Sequence, residues 1–277
     1  GGPPAGGPPA GGPPAGGGDP AAPAAPKVPE TPEDFFELAV IDYGAAIQRT
    51  PLPGPALVRG LVSRAHVLFL LDRFDECVVD ALRAADISAT EEAAWGDAGD
   101  ALTVGGKLED AVKRAWKPGL KALPDSARLH HGYGGTLWKL GRLADGIKEL
   151  REAVKLAPSN GRYRLSLGEA LYQANQEKDA QPELLQATGL REGDREAWAC
   201  LGHAYVALHK WQEAADAYEQ VCAVDPKAVD EHIYLAILYA DRLKLKDKAK
   251  THAQTYVDRG GADPLLQVWI DALVSGK

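Results

Sequence analysis

Set against itself in steps of 34, the sequence falls into register six times, over 58–91, 92–126, 127–160, 161–194, 195–228 and 229–262, with one step of 35 residues. The fourth residues of the copies are Leu61, Trp95, His130, Arg164, Trp198 and His232. The eighth are Ala65, Gly99, Gly134, Gly168, Gly202 and Ala236, small every time. The twentieth are Cys77, Ala111, Gly146, Ala180, Ala214 and Lys248, with Ala249 beside the last, where that copy gains a residue. A unit of this length is one supersecondary element that cannot bury its apolar face alone, so neighbouring units must stack into a continuous core.

Pro124, Pro158 and Pro226 stand near the ends of three copies, where a second helix stops and the chain turns into the next unit. Copy 195–228 carries Trp198, Leu201, Gly202, Tyr205, Ala214, Tyr218 and Pro226. Large apolar, Leu, Gly, aromatic, Ala, aromatic and Pro at these offsets resemble the tetratricopeptide repeat (TPR) family over about three quarters of the chain. The resemblance implies an all-α fold, a right-handed α-solenoid of antiparallel helix pairs. In such a fold Gly202 and Ala214 lie where two helices cross, and Trp198, Tyr205 and Tyr218 fill the space around the crossing. Pro118 and Gly119, late in copy 92–126, predict a kinked or short second helix there.

The flanks differ in texture. Residues 1–30, three copies of a Gly-Gly-Pro-Pro-Ala unit followed by more Pro and Ala, have almost no side chain to bury and read as a disordered linker. Residues 31–57 predict a helix and turn, with Thr31 before Pro32 and acidic residues in the first turn. Residues 263–277 predict a capping helix with little polar face; self-association or partner docking is the sharper reading of the same segment.

Charge and composition narrow the partners. Thirty-one basic against 39 acidic residues give a net charge of −8, so a grip on nucleic acid would work against the protein's own field. No apolar run approaches the roughly 20 residues that cross a bilayer. Three cysteines, Cys77, Cys200 and Cys222, are too few for a disulfide scaffold. The lack of Met, even at position 1, is expected of a processed or excised piece, and high Ala, Gly, Pro and Arg usage suggests a bacterial source.

Cys200, His203, His209 and Cys222 could pass for metal ligands. At about 100° per residue, however, Cys200 and His203 occupy adjoining parts of one helix, His209 falls in the following turn and Cys222 on the partner helix, so no tetrahedral set converges. A nucleophile elbow, a phosphate loop and an HExxH run are all absent. The expectation is therefore no metal, no cofactor and no catalysis.

The family resemblance implies that the first helices line a groove through places 2, 5, 9, 12 and 13 of each copy. The candidate contacts are Arg128, His131, Trp138 and Lys139 of the third copy, Arg162, Glu169, Tyr172 and Gln173 of the fourth, and His203 of the fifth. Copy 127–160 has six Lys and Arg against three Asp and Glu. Arg with aromatics is what peptide anchors favour, and guanidinium groups suit carboxylates. The expected function is a scaffold or adaptor that binds a protein or peptide segment with an acidic group near Arg128, Lys139 and Arg162. A docking or sensor domain of a larger, signalling-kinase-like protein and the mature part of an exported assembly-factor lipoprotein are the alternatives. The corresponding locations are the cytoplasm or, if a signal sequence was removed, the periplasm.

Overall fold

A computed structural model of the chain describes residues 29–49 and 54–275. Most of the expected linker, and the turn at 50–53, lie outside the described residues. Helices run in antiparallel pairs. These are α2 (Gly54–Leu70) with α3 (Phe74–Ile87), α7 (Ala127–Lys139) with α8 (Leu143–Leu156), α9 (Gly161–Gln173) with α10 (Glu177–Leu190), and α11 (Arg195–Ala207) with α12 (Trp211–Val224). Two pairs are irregular. α4 (Glu92–Val104) packs on a composite helix made of α5 (Leu108–Asp110), a π-helical turn (Ala111–Trp116) and α6 (Lys117–Ala122). α13 (Asp230–Ile237) runs into a π-helical turn (Leu238–Arg242) before α14 (Lys246–Asp258). α1 (Pro32–Arg49) packs on α2, and α15 (Pro264–Ser275) on α14. Among the described residues there is no strand, and the architecture is the all-α solenoid expected.

The period is written into local chemistry. Helix starts recur at Ser126, Asn160 and Asp194, whose side chains accept from the backbone N–H of Leu129, of Arg162 and Tyr163, and of Glu196 and Ala197. At the head of α1, Thr31 and Asp34 form a reciprocal capping box, each backbone N–H donating to the other's side chain at 3.0 and 3.2 Å. The turn between the two helices of each pair is made by Asp72, Gly106, Gly141, Asn175, His209 and Lys244, all at positive φ and spaced by 34, 35, 34, 34 and 35 residues.

The two 35-residue steps have one physical cause. A π turn holds one more residue than an α turn. In the second copy the surplus lies between Ala111 and Pro124, and the π turn spans Ala111–Trp116. In the last copy it lies between Ala236 and Ala249. The π turn there spans Leu238–Arg242, with Leu243 N–H donating to the Leu238 carbonyl at 2.9 Å. Ala249, not Lys248, is therefore the buried small residue. The second helix of this copy, expected to be kinked or short, is interrupted by the π turn but runs on through Pro118 to Ala122. The wide turn ends just before Pro118, where a regular helix would set the proline ring against the carbonyl four residues back. Gly119 serves as a contact, since a Cβ there would lie 2.9 Å from Trp95 Cβ.

Close approach explains the eighth place. A Cβ on Gly99 would lie 2.4 Å from the Trp116 ring, on Gly134 2.8 Å from Leu150, on Gly168 2.5 Å from Leu184 and on Gly202 2.7 Å from Tyr218. Trp116 is fully buried, wedged between Gly99 and Gly132, and its indole N–H donates to Thr136 Oγ1 at 2.8 Å. The fourth place does something the residue types conceal. Trp95, His130, Arg164 and Trp198 each send a ring or guanidinium nitrogen to the carbonyl six residues earlier, Ala89, Pro124, Pro158 and Glu192, at 2.8–2.9 Å. Three different side-chain types thus tie α4, α7, α9 and α11 to the loops that enter them.

Candidate functional site on the face of the first helices

The first helices α2, α4, α7, α9 and α11 touch one another in sequence and form one face of the array. A pocket of about 560 Å³ opens there between α4, α7 and α9, lined by Phe69, Asp100, Val104, Arg128, Lys139 and Arg162 among others. Its cations are not equivalent. Arg128 donates to Asp97 at 2.7 Å and lies 3.6 Å from Asp100, and a Cβ on Gly96 would sit 2.4 Å from the guanidinium carbon. The missing side chain at Gly96 leaves room for this clamp. Asp97 is buried, so Arg128 balances a buried carboxylate through Nη2. Lys139 and Arg162 are exposed and have no ionic partner among the described residues.

Behind them this face is mostly aromatic. The His131 ring stacks on Tyr163 at 4.6 Å, and its Nε2 meets Ser166 Oγ at 3.0 Å. Burial, then the neighbouring Arg162 guanidinium, push its pKa down to about 4, so the ring is neutral at pH 7. The Trp138 indole N–H donates to Gln173 Oε1 at 2.8 Å and bridges α7 to α9. Glu169 accepts from the Cys200 thiol at 3.4 Å; burial raises the pKa of both groups, which keeps Cys200 a thiol.

At the far end, His203 sits among three tyrosines from three elements. It stacks with Tyr172 of α9 at 6.5 Å and meets Tyr218 of α12 and Tyr234 of α13 edge-on at 5.6 and 5.9 Å. Burial lowers the His203 pKa, and the carboxylate of Glu231 opposes that shift. Glu231 is buried; one oxygen accepts from Arg195 at 2.7 Å and the other has no hydrogen-bond partner among the described residues. Arg195 also lies 3.3 Å from Asp225.

The nine expected contacts therefore fall into three groups along this face: Arg128, Lys139 and Arg162 at the pocket; His131, Trp138, Gln173 and Glu169 in the middle; Tyr172 and His203 at the end. The metal-like residues disperse: His209 forms a turn and packs on Trp211, Cys200 meets Glu169, and Cys222 lies 4.0 Å from His232. Among the described residues no three His, Cys, Asp or Glu are placed to hold a metal. Asp97, Asp100, Tyr234 and Glu231 were not anticipated. Asp100 and Val104 had a signal, because they stand at places 9 and 13 of copy 92–126.

Models of the tetratricopeptide repeat match residues 97–160, 134–195 and 195–228. A TPR repeat-containing protein of Pseudomonas aeruginosa, PA4299, is 32% identical over 89 residues, a stretch that makes up 32% of this chain and 36% of that protein's length. Among solved structures, pilF of Pseudomonas aeruginosa superposes with a TM-score of 0.65 at 13% identity, over 81% of this chain and 99% of that one. YrrB, described as a TPR protein with an unusual peptide-binding site, gives 0.60 at 21%, over 69% and 97%. MamA gives 0.56 at 24%, over 61% and 91%. At these identities the structures speak for the fold. No helix of the described residues is long and apolar enough to cross a membrane. With its matched repeats, its helix pairs and its stacked small residues, the chain carries tandem tetratricopeptide repeats over residues 97–228.

Proposed function

We propose that this protein is a non-enzymatic interaction scaffold whose groove holds a segment of a partner protein, with an acidic group of that segment seated on Lys139 and Arg162. The observation that carries the reading is the contrast among the three cations of the pocket. Arg128 is held by Asp97 and Asp100, whereas Lys139 and Arg162 face solvent beside Phe69 and Val104 without an ionic partner among the described residues. Charged hydrogen bonds to a carboxylate at such a pair, flanked by apolar surface, suit a peptide anchor. Trp138, Tyr172 and Gln173 extend the contact along α7 and α9.

The test compares capture of native partners by the wild-type chain and by a Lys139→Ala/Arg162→Ala double variant, with Arg151→Ala/Lys155→Ala on the second helix α8 as control. Arg128 is left intact because its truncation would strand Asp97. Loss of the same captured protein in the first variant alone, with helicity unchanged, supports the reading. Equal capture by all three chains overturns it.

A further inference from the structure

The end of the groove away from Lys139 and Arg162 has the opposite character. Tyr172, His203 and Tyr234 stand around the buried ring of Tyr218. None of these four side chains has a hydrogen-bond partner among the described residues, as is also true of Tyr133, Tyr163, Tyr205 and Tyr256. Behind them is Glu231, one turn before Tyr234 on α13. Its side chain is 6% exposed, and its Oε2 is buried without a donor. Arg195 serves both Glu231 and Asp225, so one guanidinium meets two carboxylates and one negative charge is left over. Glu196, exposed and without an ionic partner among the described residues, adds to it on α11. Buried carboxylate oxygens are ordinarily matched by a donor, and this one, beside a cluster of aromatic rings, is an exception among the described residues.

We propose that this end of the groove is a cation site, which takes an ammonium or guanidinium group of the same partner segment against the faces of Tyr172 and Tyr234, beside His203 and the carboxylate of Glu231. The inference rests on the reading of the groove as a segment-binding surface and adds its polarity: acid at α7 and α9, base at α11 and α13. Two helix-to-helix steps, from α9 to α11 and from α11 to α13, separate Arg162 from Glu231. At about 8–10 Å per helix contact the span is about 16–20 Å, which an extended chain crosses in about five or six residues. A cation over a tyrosine face, partly desolvated and near a carboxylate, contributes about tenfold to affinity.

The probe is a fluorescein-labelled synthetic peptide with two Glu and two Lys separated by six Ala/Gly residues, made in both chain directions. Companion peptides carry norleucine for Lys, Gln for Glu, or both. Anisotropy titrations use the full chain and its Tyr234→Ala, Tyr234→Phe and Glu231→Gln variants. Norleucine for Lys is expected to weaken binding by about tenfold on the wild type and on Tyr234→Phe, which keeps the ring, and by little on Tyr234→Ala or Glu231→Gln. Because Tyr234 is exposed, Tyr234→Ala keeps the test valid if Glu231→Gln does not fold. Equal binding of the Lys and norleucine peptides to the wild type, while Gln for Glu still weakens binding, overturns the cation site and leaves the groove reading standing. Indifference to both ends, or no binding by any peptide, overturns both.

Discussion

Gly202→Ala is the sharpest probe of how the second-helix residues support the groove. The new Cβ would stand 2.7 Å from Cε1 of Tyr218 and 2.9 Å from its Cδ1 and Cζ. Carbon contacts are comfortable at about 3.5–4.0 Å, so the ring must retreat by about 0.8 Å. Tyr218 is 2% exposed and has His203 and Tyr234 against it at 5.6 and 5.5 Å, which closes the easy directions. Overpacking of this kind costs about 1–3 kcal/mol. Alanine in a helix interior returns about 0.5–1 kcal/mol relative to glycine. The net expectation is a loss of up to about 2 kcal/mol. Gly135→Ala supplies the control, because, its own stretch of helix aside, no described residue lies within 4 Å of a Cβ built there, and only the helix gain of about 0.5–1 kcal/mol applies. The assay is urea denaturation of both variants, with hydrogen exchange of α11 and α12 amides alongside, because repeat arrays need not unfold in one step. The His203 ring resonances should also shift in Gly202→Ala, as Tyr218 is pushed toward them. If Gly202→Ala stabilises as much as Gly135→Ala, the account of the eighth place as a close contact is wrong.

Two further outcomes follow from the pocket. Arg128→Ala leaves the buried Asp97 without its donor and should destabilise by about 1–3 kcal/mol in the same denaturation assay; an unchanged midpoint would mean that the clamp is idle. His131 should titrate near 4 when its ring protons are followed by NMR. Its folded pKa lies below the unfolded value, so the stability it contributes is present above about pH 6.5. That contribution fades as pH falls from there toward 4. Titration near 6.5 would show that the ring is not buried as described.

Much of this fold is legible in the sequence because its determinants are steric and local. The small residues at the eighth place declare the helix crossings, and the extra residues in 92–126 and 229–262 register as breaks in the period. What the period cannot say is how an extra residue is absorbed; a longer loop and a π turn look alike in the alignment. Nor does residue type disclose that Trp95, His130 and Arg164 do the same task, since the shared atom is a donor nitrogen at the right reach. The groove is legible as places, less so as charge. Arg128 reads as a free cation until Asp97, a residue of the preceding copy, is found beside it. Glu231 did leave a trace: the third place is otherwise Gly60, Ala94, Leu129, Tyr163 and Ala197, and a carboxylate among them is the departure that marks the far end of the groove.

The central claim is that the face of the first helices binds a charged segment, and the Trp138 indole lies in the middle of that face. Titration of the isotope-labelled chain with the Glu/Lys peptide, followed by NMR, tests it most directly. The account predicts saturable shifts of the Trp138 indole N–H and of backbone amides in α7, α9 and α11, with those of α8, α10 and α12 unmoved apart from Tyr218. Shifts concentrated on the second helices, or none that saturate, would contradict it.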